Sequence, residues 1–220
     1  MNNLVASEAM VPNTIEVDSS DLKNAVEHIM LLQTKHNLVE KGHEAGTFVS
    51  NETESCFGTE LDVIVIGHRK CYEHYLNGKK LPKGEGFSWF SNSGKLPRDQ
   101  MTGDGKLENK LMHRYTVVLP SQVAEGGEVL PYQVTLKGGS WKASSTINAA
   151  IVKALPCYSK VFKLTVASES FNGHDYKAFN AELVRESSAE ELSAAKEWVG
   201  INSAEPAAVA PLKQIDRHQL

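Results

Sequence analysis

The chain has 220 residues, of which 41% are hydrophobic and 23% are charged, and its net charge is −4. These values are ordinary for a soluble globular protein of one large or two small domains, and the net negative charge alone argues weakly against nucleic acid as a partner. No run approaches the roughly 18 apolar residues of a membrane span and the N-terminus lacks the pattern of a signal peptide, so we expect a cytoplasmic protein with no membrane partner.

Residues 1–44 are predicted to form an acidic N-terminal segment with one short helix. The first twenty residues show no periodicity. Over residues 21–36 apolar side chains recur at helical spacing, and Ser19 or Ser20 could cap the first turn. We therefore expect an amphipathic helix in this segment.

A β-rich domain is expected over residues 45–200. Residues 61–67, LDVIVIG, are apolar on both faces and predict a buried strand that continues into HRKCYEHY. Residues 77–112 then carry eight glycines and prolines and predict a loop far longer than usual. Such a long loop is usually functional or disordered.

After the loop, inward-facing and outward-facing residues alternate again along the chain. This pattern predicts two antiparallel strands over residues 114–120 and 131–137. Their expected inward side chains are Tyr115, Val117 and Leu119 in the first and Tyr132, Val134 and Leu136 in the second. Gly138, Gly139 and Ser140 interrupt the second strand. A helix over residues 141–155 with an apolar stripe at Ile147, Ile151 and Ala154 is predicted to follow.

The C-terminal part predicts a hairpin, a helix and a tail. The dipeptide Asn172-Gly173 is a strong hairpin signal between two alternating runs. The side chains expected to point inward are Phe162, Leu164, Val166, Phe179, Ala181 and Leu183, with Val161, Lys163 and Thr165 pointing outward. An acidic helix ending at Gly200 and a flexible tail over residues 201–220 complete the chain.

From residue 61 the order is strand, long insertion, strand, strand, helix, strand, strand. This is the order of the OB-fold, a small barrel that binds oligonucleotides on one face and in its loops. The predicted fold class is mainly β with α: an OB-like five-stranded Greek-key barrel with a helix between strands 3 and 4, the insertion between strands 1 and 2, and flanking helices. Other small barrels could share this order, so it indicates where to look and not what the protein does.

The strongest functional signal is a basic segment, residues 68–114, which carries +5 where residues 1–60 carry −7. Inside it, the stretch GEGFSWFSNSGK at residues 84–95 sets large rings among glycine and serine. Binding of single-stranded nucleic acid without sequence preference needs cations along the phosphates and exposed aromatic rings on which bases stack. The predicted nucleic-acid-binding residues are Arg69, Lys70, Tyr72, Tyr75, Lys79, Lys80, Lys83, Phe87, Trp89, Phe90, Lys95, Arg98, Lys106, Lys110 and Arg114. The alternative is that the rings fold back as a small core beneath the loop.

An enzymatic interpretation depends on Asp99 and on residues 108–110, Glu-Asn-Lys. Their order resembles the acidic residue and E-x-K spacing of Mg²⁺-dependent nucleases, in which carboxylates hold the metal and a lysine steadies the phosphate. Such an E-x-K normally lies on a buried strand, whereas here it is expected in a loop. We therefore expect no enzyme and no catalytic residues.

Metal and disulfide chemistry are not indicated by the cysteines. Cys56, Cys71 and Cys157 form no C-x-x-C pair, and we expect reduced thiols, at least one of them buried. His68, Cys71 and His74 would converge on a metal on a helix but alternate between faces on the expected strand. The predicted protein has no metal site and no cofactor.

The start of the helix that begins at residue 141 is a second place where a phosphate could bind. Its first amides could meet an anion with help from Lys142. Trp141 more often simply packs against the bottom of such a barrel, and we favour that interpretation.

Taken together, these motifs resemble the single-stranded DNA-binding proteins encoded by tailed bacteriophages. The similarity runs from about residue 44 to 186 and includes G-x-F at 46–48, R-K-x-Y-x-x-Y after strand 61–67, S-N-S-G-K-L-P at 91–97, P-Y-x-V-x-L-K-G-x-S at 131–140 and the final hairpin. The resemblance implies an OB-fold that coats single-stranded DNA during phage DNA replication or recombination in the host cytoplasm. Replication or recombination proteins could be partners, and the protein could form a homo-oligomer. One alternative is a phage structural or host-interaction protein whose aromatic loop is a protein-binding patch; another is the nuclease.

Overall fold

The computed structural model describes residues 26–76, 79–80, 90–91, 107–153 and 156–202. Over these residues the strands are β1 Glu27–Leu31, β2 Phe48–Ser50, β3 Cys56–Gly58, β4 Glu60–Leu76, β5 Lys79–Lys80, β6 Phe90–Ser91, β7 Leu107–Val118, β8 Tyr132–Lys137, β9 Lys160–Phe171 and β10 His174–Glu186. The helices are α1 Asn37–Glu40, α2 Pro120–Ala124, α3 Trp141–Lys153 and α4 Ala189–Asn202. The expected mainly-β class is confirmed.

The strands form one curled mixed sheet in the order β10-β9-β4-β7-β8-β1-β2-β3, with β5 and β6 also pairing with β4. The pairing of β1 with β8 is parallel and the other pairs are antiparallel. The ladder between β4 and β7 continues as far as Leu76 and Leu107. Strands β4 and β7 therefore continue to pair with each other well beyond residues 60–64, the part of β4 that pairs with β9.

The main core lies on one face of the curled sheet and is closed by α3. Phe48 stacks on Phe179 with ring centroids 5.3 Å apart, and Ala143 and Ile147 of α3 are buried against the same cluster. The inward faces predicted for β7 and β8 are confirmed, since Tyr115, Val117, Leu119, Val134 and Leu136 are all buried. Burial of each large apolar side chain contributes roughly 1.5–3 kcal/mol, so this face fixes the register of the strands.

A second core cluster lies on the other face, beneath α4. Ile64, Ile66, Val118, Val161 and Ala195 are buried together there. The expectation that Val161 points to solvent is wrong because α4 covers this part of β9. The same helix explains why residues 61–67 are apolar on both faces.

Helix α4 begins at a reciprocal cap and runs to Asn202, two residues beyond the predicted end at Gly200. The Ser188 amide donates to Glu191 Oε2 at 2.7 Å and the Glu191 amide donates to Ser188 Oγ at 3.2 Å. This is the capping box that an S-x-x-E sequence allows. Arg185 also donates to both carboxylate oxygens of Glu191 at 2.7 Å.

The helix predicted over residues 21–36 is wrong in its described part, where Glu27–Leu31 form strand β1. The segment pairs with β8 on one side and with β2 on the other. Ile29 and Leu31, two residues apart, are both buried in the main core. Two hydrogen-bonded neighbours outweigh the helical spacing of the segment, because propensity is a weak prior against tertiary pairing. β1 thus joins the sheet of the domain that was predicted to begin at residue 45.

The predicted loop 77–112 contains more strand than expected. Lys79–Lys80 and Phe90–Ser91 pair with β4, and residues 107–112 belong to β7 because the ladder with β4 continues through them. The rest of that loop lies outside the described residues, as do residues 1–25 and 203–220.

The predicted hairpin is confirmed at Asn172 and Gly173, whose φ angles are 52° and 77°. Both angles lie in the left-handed region that a type I′ turn needs at its two central positions. Leu183 was expected to point inward but is 47% exposed. Leu183 pairs with Phe162 near the end of β10, directly before a register shift between Leu183 and Arg185.

Candidate nucleic-acid interface

A groove of about 1070 Å³ lies between strands β1, β4, β7 and β8 and the end of the β9–β10 hairpin. The sheet lines it with side chains that include His28, Met30, Glu73, Met112, Arg114, Thr135 and Lys137, and the hairpin lines it with Phe171, Tyr176, Lys177 and Phe179. Arg114 and Thr135 alternate along their strands with Tyr115 and Val134, which are buried in the main core. On these strands the groove therefore uses the sheet face opposite that core, and it borders the core where Ile29, Leu31 and Phe179 join its lining.

Positively charged groups follow one another along this face. Arg114 pairs with Arg69 on β4 and with Thr135 on β8. Further along, Lys110 Nζ lies 4.1 Å from the centroid of the Tyr75 ring, within the range of a cation–π contact. The fold thus brings four of the predicted binding residues, Arg69, Tyr75, Lys110 and Arg114, to a single face.

Glu73 is a buried carboxylate in the groove, and among the described side chains Lys137 and Tyr75 donate to it. Lys137 Nζ lies 2.9 Å from Glu73 Oε1, and the Tyr75 hydroxyl donates to Glu73 Oε2 at 2.8 Å. Burial raises the pKa of Tyr75 and its hydrogen bond to Glu73 raises it further, so the phenol stays protonated. The side chain of Lys137 is still 49% exposed, which leaves its ammonium accessible from the groove.

His28 contributes a neutral imidazole to the groove. Its pKa is lowered first by burial and next by the Arg114 guanidinium, with Glu52 opposing and Arg69 adding to the effect. Burial also lowers the pKa of Arg114, which nevertheless remains charged because a guanidinium does not lose its proton in proteins. The positive charge of the groove wall is therefore carried by the arginines and lysines.

The hairpin supplies two aromatic rings that the sequence did not single out. Phe171 is 68% exposed directly before the turn. Tyr176 packs against Gly139, where an added Cβ would lie 2.5 Å from the ring. A residue with a side chain at position 139 would displace Tyr176 from the groove. The available signal was an aromatic residue beside Asn172-Gly173, in a loop that an OB-like order places at the binding face.

Of the four predicted binding residues on this side of the sheet, Arg114 lines the groove, while Arg69, Tyr75 and Lys110 share its sheet face without belonging to the lining. The described structure does not place the other predicted binding residues on this face. Lys70 and Tyr72 pair with His113 and Leu111, so they lie on the other face of β4. Lys79, Lys80 and Phe90 contribute backbone to β5 and β6. Six residues lie outside the described part of the chain: Lys83, Phe87, Trp89, Lys95, Arg98 and Lys106.

A histidine pair occupies the other face of β4 and β7. His68 Nε2 and His113 Nδ1 are 2.8 Å apart, and their rings are stacked with centroids separated by 5.1 Å. His68 also stacks on Tyr115 at 4.7 Å, and the Tyr115 hydroxyl donates to Asn148 Oδ1 at 2.9 Å. Burial lowers the pKa of His68 to about 4, with His113 and Lys70 adding to the effect, so both rings are neutral near pH 7.

Trp141 was expected beneath the barrel, but it is 52% exposed and meets His113 edge-on at 5.2 Å. The reason is helical geometry, since Trp141 lies two residues, about 200° of rotation, before the buried Ala143. Its partner in the alternative phosphate site, Lys142, is largely exposed and lies 3.8 Å from Glu169.

The E-x-K segment lies on strand β7 and not in a loop, so the expected context was wrong. The side chains of Glu108 and Asn109, and all of Asp99, are outside the described part of the structure. Among the described side chains, no three His, Cys, Asp or Glu residues form a group that could hold a metal ion. All three cysteines are free and Cys71 is buried, as expected.

Comparison of the chain with protein-family models, with curated proteins and with solved structures finds no match. None of the helices within the described ranges has both the length and the apolar character that a membrane crossing requires.

Proposed function

We propose that the chain is a non-catalytic, sequence-tolerant single-stranded DNA-binding protein that holds the strand in the groove. The observation that carries the proposal is the combination of cations and rings on one concave surface: Arg114, Lys137 and Lys177 beside Phe171 and Tyr176. Cations that follow phosphates and rings that stack on bases are the two requirements for binding single strands without reading their sequence.

The proposed architecture is an OB-like barrel built from β4, β7, β8, β9 and β10. Their order in the sheet, β10-β9-β4-β7-β8, and the position of α3 between β8 and β9 support it. In this assignment the groove covers the face of the second and third barrel strands, next to the loop between the fourth and fifth. That is where OB-folds bind oligonucleotides.

In a closed five-stranded barrel β8 would pair with β10, but here β8 pairs with β1 on that side. Side-chain hydrogen bonds would then connect β10 to the rest of the barrel. The Gln33 side-chain amide exchanges two 2.9 Å hydrogen bonds with the Lys177 backbone. The Phe179 amide donates to Ser140 Oγ at 2.9 Å. These contacts attach β10 to β1 and to the turn after β8, which positions the hairpin rings beside the sheet.

The test is binding of a fluorescently labelled oligothymidine, followed by anisotropy over a range of salt concentrations. Phe171→Ala should weaken binding roughly 5- to 150-fold, the equivalent of one stacked base at ~1–3 kcal/mol, and should leave the salt dependence unchanged. Leu183→Ala is the matched control, because Leu183 is an exposed apolar residue of the same hairpin, far along β10 from the turn.

Two outcomes would favour the alternatives. The absence of oligothymidine binding even at low salt would favour a protein-binding patch of a phage structural or host-interaction protein. Degradation of the oligonucleotide on incubation with Mg²⁺ would indicate the nuclease.

A further inference from the structure

Two arginines face each other across β4 and β7 on the groove side of the sheet. Arg69 and Arg114 are directly paired in the ladder, and both are partly buried. Side chains at such positions have Cβ atoms about 4.5–5.5 Å apart, and like charges there repel. Arg69 is close enough to contribute to the lowered pKa of Arg114, after the larger effect of burial. Two permanent positive charges therefore lie side by side on this face.

Arg69 also has a donor that the described structure does not use. Its Nη2 atom is buried and has no hydrogen-bond partner among the described residues. Glu73, on the same face of β4, already accepts hydrogen bonds from Lys137 and Tyr75. Buried donors in proteins are nearly always satisfied, and an exception calls for an explanation such as a missing ion.

The surroundings suit an oxyanion. Arg114 lines the groove, so a group bound between the two guanidiniums would be reachable from it. His28 lines the same groove as Arg114. Burial lowers the pKa of its imidazole, so the neutral ring can donate one hydrogen bond. Guanidinium groups match phosphate with two parallel hydrogen bonds each, which an ammonium cannot do.

We propose that Arg69 and Arg114 form a phosphate-binding site on the groove side of the sheet, where they hold one phosphodiester group of the bound strand. This deepens the proposed function and rests on it for the source of the phosphate. The chemistry is shared with free inorganic phosphate, which therefore serves as the simplest probe.

The first experiment compares the Tm of the full chain in phosphate and in chloride at equal ionic strength and pH. Phosphate should raise the Tm of the wild type by about 2–4 °C. Arg69→Met keeps the aliphatic stem, removes the repulsion with Arg114 and should abolish the rise. Arg69→Lys keeps the positive charge but loses the paired guanidinium donors, so it should retain only part of the rise in Tm. Lys153→Met is the control, an exposed cation in the last turn of α3 and outside the predicted binding residues, and should keep the full rise. The same rise in wild type and both Arg69 variants would overturn the proposal.

The second experiment repeats the oligothymidine titration with these variants. Arg69→Met should weaken binding and reduce the slope of log K against log salt by about one, whereas Lys153→Met should not. Tight DNA binding that is unaffected in Arg69→Met would overturn the phosphate site and leave the proposed function standing. A phosphate-induced rise in Tm that Arg69→Met abolishes, in a protein that binds no oligonucleotide, would support the site and refute the proposed function.

Discussion

Acidification should destabilise the fold through the buried histidine pair. The pKa of His68 falls from 6.5 to about 4, chiefly because burial disfavours the imidazolium. The unfolded chain therefore takes up a proton first, so the contribution of neutral His68 is fully present above pH 6.5 and is lost as the pH falls towards 4. A shift of this size corresponds to ~3 kcal/mol, and solvent screening of a partly exposed ring reduces it to ~1–2 kcal/mol.

The assay is urea denaturation at pH 7.5 and pH 5.0. Between these values the wild type should lose about 1 kcal/mol more of its unfolding free energy than His68→Gln, which cannot titrate but can still donate to His113. His174→Gln, at an exposed histidine of the hairpin, should behave as the wild type does. An equal loss in the wild type and His68→Gln would refute the reasoning, because the remaining acid sensitivity would then come from other groups, such as His28 and His113.

Three further perturbations probe the groove and its surroundings. Gly139→Ala places a Cβ 2.5 Å from Tyr176. It should lower the free energy of unfolding by ~1–3 kcal/mol in urea denaturation and should weaken oligonucleotide binding. Gly127→Ala is the control, because its Cβ meets nothing within 4 Å, and it should have neither effect. Trp89→Ala should remove most of the oligothymidine-induced fluorescence quench with an unchanged salt slope; a fall in Tm with intact binding would instead indicate a small core beneath the loop. Deletion of residues 1–20, which carry acidic side chains, should tighten binding at low salt, and unchanged or weaker affinity of the folded truncated protein would contradict this.

Much of the sheet could be predicted because most strands carry their own pattern. Strands β7 to β10 alternate regularly, and Asn172-Gly173 specifies its turn locally. Strand β1 could not be predicted in this way. Ile29 to Leu32 are apolar without a break, and what makes the segment a strand is pairing with β8, more than a hundred residues away. The burial of Val161 has the same origin, since it depends on where α4 packs.

The candidate site likewise has residues that the local sequence predicts and residues that only the fold brings together. Arg69, Tyr75, Lys110 and Arg114 could be predicted because they belong to a locally basic and aromatic segment. The other members of the groove come from β1, β8 and the hairpin, whose local sequences are not basic. Phe171 is an ordinary strand residue until the fold places it beside the sheet. Composition finds a binding segment, and the topology decides which residues share its surface.

The position of β1 gives the acidic N-terminal segment a physical connection to the groove. β1 supplies His28 and Met30 to the groove lining, and Gln33, just beyond its end, binds the backbone of Lys177 on the opposite wall. The carboxylate of Asp18, which the deletion of residues 1–20 removes, precedes Glu27 by nine residues, a tether that reaches no more than about 32 Å. A tethered anion has a high effective concentration near the cations, and salt screens its attraction as it screens that of phosphate. Competition by this segment should therefore be strongest at low salt and fade at high salt, so the affinities of the full-length and truncated proteins should converge as the salt concentration rises.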